Sequence, residues 1–305
     1  MTVAIDLAEL PDPDVIEALD LESIITDIKD YLIALDSSYA TVLDLESEPM
    51  VKLIEALAYR ELLMRARYND EARALLLAKA TGSDLDHIAY TYFRQATRLV
   101  ITEEDLDATP AVDEVLESDD AFRRRVALKP ESYSTAGPTD AYIYHSLSAS
   151  GLVKDASCTS PVPGTTLVTI LSTDGQGIPT AELLETVEAA LQDGQVRPLS
   201  EEVVVQPVTI ITYAIQCELW VYAGPDNSLV ASAAETELST YTTARHMLGN
   251  SVALSGLHAA AHRPGVQRAV VTITGAELLN EIIVVDDFSS AYCTSITVTV
   301  AGVAQ

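Results

Sequence analysis

The apolar positions of this chain change period once, near residue 150. Before that point they recur at intervals of three and four, so that Leu21, Ile24, Ile28, Tyr31 and Leu35 fall on one helical face. Pro49, a residue suited to a first helical turn, opens a second and longer helix with the stripe Ile54, Leu57, Met64, Tyr68 and Leu75. Glu61 interrupts that stripe and precedes Arg65 by four residues, the spacing of a helical ion pair. Gly82 is expected to stop this helix as its C′ residue, and Ser83 or Asp84 to cap a third helix reaching toward Arg94. The acidic, proline-containing stretch 101–120 reads as a connector. Residues 119–128 predict one or two helical turns, and a helix resumes after Gly137-Pro138.

Beyond residue 150 the pattern is that of strands interleaved with helices. Residues 165–171 predict a strand and the following TDGQG a turn, and Pro179-Thr180 begins a helix with Leu184, Val187 and Leu191 on one face before Gly194 ends it. EEVVVQ and PVTII supply strand segments broken at Pro207, which has no N–H for a central ladder. Ile215, Cys217, Leu219 and Val221 then alternate with Gln216, Glu218, Trp220 and Tyr222, as in a half-buried strand. Gly224-Pro225 predicts a turn, Asn227 or Ser228 the cap of a helix running to about Leu248, and a short helix is expected near Ser255 to His262. A turn at Pro264-Gly265, a strand at 266–273 and a last strand at 295–300 complete the chain. The order strand, helix, strand thus occurs twice, at about 165–211 and 213–273, the pattern a duplication would leave. The expected fold class is α+β: a helical N-terminal region followed by two small α/β sandwich-like domains. The expected divisions are 1–100 (helical bundle region), 101–150 (acidic connector and helices), 151–212 (first α+β domain) and 213–305 (second α+β domain).

Charge narrows the classes of partner. The 305 residues carry 18 Lys+Arg against 46 Asp+Glu, a formal net charge of −28. Such a chain repels phosphate backbones and anionic lipid, because binding to them is driven by cationic neutralisation and counterion release. With 48% hydrophobic residues it is not a disordered acidic chain. The acidity is uneven: residues 1–50 carry −12, residues 51–100 carry +2, residues 101–150 carry −7 and the remainder −11. Cys158, Cys217 and Cys293 are odd in number and lack ligand spacing, which predicts buried thiols in a reducing compartment. The acidic N-terminus is unlike a signal peptide, and no uncharged apolar run approaches the roughly 18 residues of a membrane span. The expectation is a protein kept in the cytosol, or leaving it by another route than ordinary secretion.

Candidate chemistry is sparse. His258 and His262, four apart on an expected helix, have the spacing of two zinc ligands, but Ala259 stands where a metalloprotease needs its glutamate. Gly175-Gln176-Gly177 lacks the third glycine of a dinucleotide loop and the lysine of a phosphate loop. Asp84, Asp86 and His87 read better as capping groups than as an acid/base set. Arg123-Arg124-Arg125 is the only basic run, and the acids around it favour an intramolecular or inter-subunit charge contact over a phosphate. No catalytic, cofactor-binding or metal-ligating residue is assigned, which favours a structural or interaction protein over an enzyme. The rival readings are a metal-dependent enzyme built on His258 and His262 and a cell-wall hydrolase.

Several longer segments carry a resemblance. ARALLLAKATGSDLDHIAYTYFRQ (72–95), ESDDAFRRRVALKPESYSTAGPTDAYIYHSLSAS (117–150), VKDASCTSPVPGTTLVTIL, QDGQVRPLSEEVVV (192–205) and HRPGVQRAVV (262–271) follow one another as in the baseplate assembly protein J family of contractile-tailed bacteriophages, whose P2-like members the chain resembles in length. The resemblance implies a non-enzymatic baseplate wedge component, part of a sixfold ring around hub and spike, that rearranges when the sheath contracts. An equivalent subunit of a phage-derived bacteriocin or contractile injection system is the alternative. It implies as partners a wedge protein of the I type, met through the helical N-terminal part, other copies of the chain, a gp25-like wedge protein and central hub and spike proteins, with no direct nucleic acid and no membrane insertion. The implied location is the tail baseplate of the virion, after assembly in the host cytoplasm. The family supplies no catalytic residue to carry over.

Overall fold

The computed structural model describes residues 10–106, 110–134, 137–224 and 226–304. It separates into two compact units, one made of Met1–Thr97 with Phe122–Val126, the other of Arg98–Ala121 with Ala127–Gln305. The expected α+β class holds, with helices first and sheets after.

In the first unit, helix α1 (Leu21–Leu35) is capped by Asp20, whose side chain accepts the Glu22 N–H at 3.2 Å. A 3₁₀ turn at Ser37–Tyr39 and the short α2 (Ala40–Leu43) lead to α3 (Pro49–Ala74). Pro49 sits in its first turn as expected. α1 packs on α3 through Ile24 and Ile25 against Val51, Ile54 and Ala58, with Leu43 closing the cluster. A second cluster joins Ala80, Leu85 and Ala89 to Ala96, Phe122 and Val126. Leu85 and Ala89 lie on α4 (Gly82–Tyr92), Phe122 and Val126 on α5 (Asp119–Leu128). Two boundary expectations fail here. α3 ends at Ala74, well before Gly82, and Gly82 with φ +54° is the first residue of α4, whose N-cap is Thr81 rather than Ser83 or Asp84. The seven residues between the helices wind as turns closed by Lys79 N to Leu76 O at 2.9 Å and Ala80 N to Leu76 O at 2.8 Å, so no left-handed stop at Gly82 was needed.

In the second unit the expected connector contains two short strands. β1 (Val100–Thr102) pairs antiparallel with β2 (Val115–Leu116), while residues 107–109 between them lie outside the described residues. Arg98 fastens this hairpin, donating to Asp119 Oδ1 at 2.6 Å and to the Glu117 carbonyl at 2.8 Å. After a 3₁₀ turn at Lys129–Tyr133, α6 (Thr139–Ala149) and α7 (Ala181–Leu191) cover a three-stranded sheet of order β3-β4-β5, with β3 at Val153–Val162, β4 at Thr165–Ser172 and β5 at Glu202–Pro207. Thr180 caps α7, its hydroxyl accepting from Leu183 N at 3.2 Å. Leu183, Val187 and Leu191 are the buried face, so Leu183 takes the place expected of Leu184. Pro207 ends an edge strand, where its missing N–H costs nothing. β3 has no clear alternation of its own: Asp155 and Ala156 are both buried and its last residues are exposed.

The second sheet has the order β10-β6-β8, with β6 at Thr209–Tyr222, β8 at Val266–Thr274 and β10 at Ser289–Ala304. Tyr213, Ile215, Cys217, Leu219 and Val221 all point from β6 into the core under α8 (Asn227–Arg245) and α9 (Leu254–Ala261), as the alternation requires. A one-residue slip would turn every one of them outward. Gly256 lets α9 close on Tyr241 of α8, for a Cβ there would collide with the tyrosine ring. α8 is capped by Asp226, not Asn227 or Ser228, and stops at Arg245 rather than Leu248; Pro225 of the expected turn lies outside the described residues. The two strand-helix-strand passages are not copies of each other. β4 and β5 run parallel across α7, whereas β6 and β8 run antiparallel, and the parallel partner of β6 is β10. β7 (Val252–Ala253) and β9 (Ile282–Ile283) form a small ladder at one side.

Leu279 and Ile282 bond each other's backbone across the two-residue turn Asn280-Glu281, at 2.9 and 3.1 Å, with φ values of +52° and +65°. Such turns favour glycine at the second position, and a left-handed conformation costs an ordinary residue about 1–2 kcal/mol. Glu281→Gly is therefore expected to raise stability by up to about 1 kcal/mol after the extra freedom of the unfolded chain is deducted. A denaturant midpoint that shifts upward with unchanged slope is the expected reading; a downward shift would contradict it.

Candidate interaction surfaces

Helix α3 carries two apolar stripes. Val51, Ile54 and Ala58 are buried and Leu62 is half-buried, with Asn69 continuing the same line. The expected stripe shares only Ile54 with it: Leu57, Met64, Tyr68 and Leu75 are 62, 54, 59 and 80% exposed, and Leu53 lies with them. The two stripes lie about a third of a turn apart around the helix, too far for α1 to cover both. On α1 the same split appears, with Leu21, Ile24 and Ile28 turned toward α3 and Tyr31 and Leu35 exposed. Ile28, Leu57, Met64 and Tyr68 floor a shallow groove edged by Arg60, Glu61 and Arg65. Glu61 and Arg65 form the expected pair at 2.6 Å.

The acidic residues before α1 run along the other half of α3. Asn69, buried, donates to the Glu17 carbonyl at 2.9 Å and accepts the Glu17 N–H at 3.1 Å, standing in for a strand partner. Arg65 meets Glu17 at 3.2 Å, and Asp12 meets Lys79 and Arg73, both at 3.2 Å. Hydrogen bonds from Lys79 and then Arg73 hold the Asp12 carboxyl below its usual range. These pairs are solvent-exposed, where water and salt screen them, so Asn69 is the firmer part of the strap.

The arginine run is structural. Arg123 and Arg125 are buried, and they donate to main-chain carbonyls: Arg123 to Leu77 at 2.9 Å and to Ala80 at 2.7 Å, Arg125 to Thr97 at 2.7 Å while lying over the Phe122 ring. They satisfy carbonyls that the turns around α4 leave open. The other candidates separate as well. His258 lies on α9 and His262 just past its end, and among the described residues no group of three or more His, Cys, Asp or Glu is placed to hold a metal. His87 contacts Thr91 at 3.1 Å. Gly175 and Gly177 both adopt positive φ in a tight turn, with Gly177 pressed so close to Leu171 and His246 that a side chain would not fit. Burial raises the Cys158 thiol to about 12, with Glu201 and Asp140 adding to it, and the Cys217 thiol to about 11, which keeps both protonated and unreactive. No helix is long and apolar enough to cross a membrane among the described residues.

The junction between the two sheets of the second unit went unread in the sequence. Asp155 of β3, buried, accepts the Leu248 N–H at 2.9 Å, and Ser157 donates to the Asp287 carbonyl. His246, buried beside them, bonds through Nδ1 to the Ala291 carbonyl and to Ser290, both at 3.0 Å, with Tyr292 edge-on to its ring. Burial, and then the nearby Lys154, lower its pKa. A lone histidine and a lone aspartate separated by 91 positions leave no local signal.

Two predictions follow from these contacts. Arg123→Ala removes a charged double donor and strands two carbonyls, so a loss of about 2–3 kcal/mol is expected in denaturant unfolding, with Arg123→Lys recovering only part because an ammonium cannot span both acceptors. His246 is neutral in the fold, and its stabilisation is complete above the unfolded value near 6.5; below it the unfolded chain takes up a proton that the fold resists. Stability is expected to fall between pH 7 and pH 5, less steeply in His246→Gln, and an unchanged slope in that variant would contradict the assignment.

Comparison with known proteins places these surfaces in context. A family model described as the Baseplate J-like N-terminal domain matches residues 46–105, and one described as the Baseplate J-like central domain matches residues 134–207. Baseplate protein J of Escherichia phage P2 is 42% identical over 303 residues, covering 98% of both chains. Among solved structures, a chain of the 6-fold symmetrised cryo-EM baseplate of the anti-feeding prophage is similar over 65% of this chain and 49% of its own length, with 13% identity and a TM-score of 0.42.

Proposed function

This chain belongs to the baseplate J-like family, and on that premise we propose that it is a structural, non-catalytic wedge component of a contractile-tail baseplate. Copies of it form part of a sixfold ring around the hub and spike and shift their contacts when the sheath contracts. The observation that carries this reading is the second apolar stripe of α3. A helix that keeps Leu57, Met64, Tyr68 and Leu75 in water is built to be covered, and covering each such side chain is worth about 1.5–3 kcal/mol. An amphipathic helix of the I-type wedge protein laid along this stripe would bury it. Residues 1–100 then form the region that meets this partner, 101–150 the connector with its helices, and 151–212 and 213–305 two α+β domains that face other copies, a gp25-like wedge protein and the hub. The site of action is the tail baseplate, reached after assembly in the host cytoplasm.

A phage lacking the gene is expected to accumulate tails or capsids without baseplates in electron micrographs, and normal infectious particles would overturn the proposal. At the protein level, Leu57→Asp combined with Met64→Asp alters only exposed positions. It should leave the fold intact and weaken co-purification with the I-type wedge protein by at least about 100-fold, the loss of two covered side chains. A truncated chain starting near residue 150 should not co-purify at all; its capture by the partner would contradict the placement of the contact.

A further inference from the structure

We infer that Arg60 sets partner and register on the exposed stripe of α3: the helix that covers the stripe carries a carboxylate in its own apolar seam, opposite Arg60. The inference deepens the reading above and rests on it for the existence of a helical partner. The exposed positions Leu53, Leu57, Met64, Tyr68 and Leu75 are separated by four, seven, four and seven residues, and Arg60 and Glu71 fall in the two longer gaps. With these two included the steps are four, three, four, four, three and four, the alternation of a coiled-coil seam with one added step of four. From Leu53 to Leu75 such a seam is about 33 Å long, which calls for a partner helix of about six turns. Arg60 stands on the rim of the groove beside Leu57 and Met64.

The two charged positions of the seam differ. Of the five cations on α3, four have an acid of the same helix three or four residues away: Lys52 pairs with Glu55, Arg65 with Glu61, Arg67 with Glu71 and Arg73 with Asp70. Glu71 is thereby answered within the chain. The residues three and four away from Arg60 are Ala56, Leu57, Leu63 and Met64, none of them an acid. Among the described residues Arg60 has neither an ion pair nor a side-chain hydrogen bond. In a chain with 46 acids and 18 bases, an unanswered base inside an apolar seam is the exception.

In water the guanidinium is solvated, but a helix laid along the seam removes that water. A guanidinium desolvated without a counter-charge is costly, whereas one that meets a carboxylate through two parallel N–H donors is satisfied and fixed in direction. A partner with leucine at that place strands Arg60. The right partner slid by one turn strands both charges. The same pair therefore selects the partner and its register, as a single polar position does in a coiled coil, at some cost in affinity relative to an all-apolar seam. A second copy of α3 laid parallel and in register would set Arg60 against Arg60, which repels. The charge called for on the partner is thus negative, and its place is between the residues that cover Leu57 and Met64.

The test is the affinity of the purified full chain for the I-type wedge protein of the same particle, by calorimetric titration. Arg60→Leu adds apolar area to the seam, so an arginine that merely stands by predicts equal or tighter binding. A carboxylate opposite predicts binding weaker by at least about tenfold, with Arg60→Gln as weak and Arg60→Lys intermediate. Lys52→Leu removes the same charge from another face of α3 and should leave the affinity unchanged. Replacing each Asp and Glu of the I-type protein by Leu in turn should yield one variant that weakens binding to the wild type and tightens binding to Arg60→Leu, the coupling of a double-mutant cycle. Arg60→Leu binding as tightly as the wild type, or a scan without a coupled acid, overturns the inference and leaves the proposed docking standing. A wild-type chain that does not bind the I-type protein overturns both. Self-association that Arg60→Leu abolishes, with the I-type affinity unchanged, assigns the stripe to a second copy and overturns the inference as well. Should Arg60→Leu lose its circular dichroism signal, Arg60→Gln decides.

Discussion

A helix can bury only the face that its neighbours reach, and α3 has more apolar surface than α1 can cover. That geometry decides what the first unit can do. Val51, Ile54 and Ala58 are used internally, and the acidic strap with Asn69 occupies the flank further along. What remains is a second stripe, Leu57 to Leu75, left in water. The charge difference between the first and second fifty residues has a partly internal purpose: Asp12 and Glu17 answer Arg65, Arg73 and Lys79 on the same unit. The acidity is thus partly consumed in holding the strap, and only the rest is free to act on a partner.

The second unit depends on β6 in a similar way. One face of that strand is closed by α8 and α9, and the strand is flanked by a parallel partner that arrives only at the end of the chain. The two sheets are held to each other by a few polar contacts, with Asp155 reaching Leu248 and Ser157 reaching the Asp287 carbonyl. Such contacts orient the sheets with little apolar burial. An arrangement of stiff cores joined by modest polar seams concentrates any movement at the seams.

Local chemistry explains why some features were legible and others not. Pro49, Thr180 and the alternation from Ile215 to Val221 report on their own elements, and each is where its pattern put it. The caps of α8 and α4, at Asp226 and Thr81, lie one to three residues before the expected ones, since several neighbouring residues can perform the same local task. β3 was missed because two successive residues are buried and its tip is exposed. The arginine run reads as a charge contact with acids within the chain or between subunits, yet Arg123 and Arg125 are buried against main-chain carbonyls 28 to 46 residues away.

The sequence by itself determined the period of most segments, the class of the fold and the family, because these depend on residues within a turn or two of each other or on composition. Only the tertiary structure decided which of the two stripes of α3 is spent, which strand lies parallel to β6, and that β10 lies at the edge of its sheet. The reason is physical: periodicity says that a face is apolar, but which face is buried depends on what comes to cover it, and that neighbour is set by contacts far along the chain.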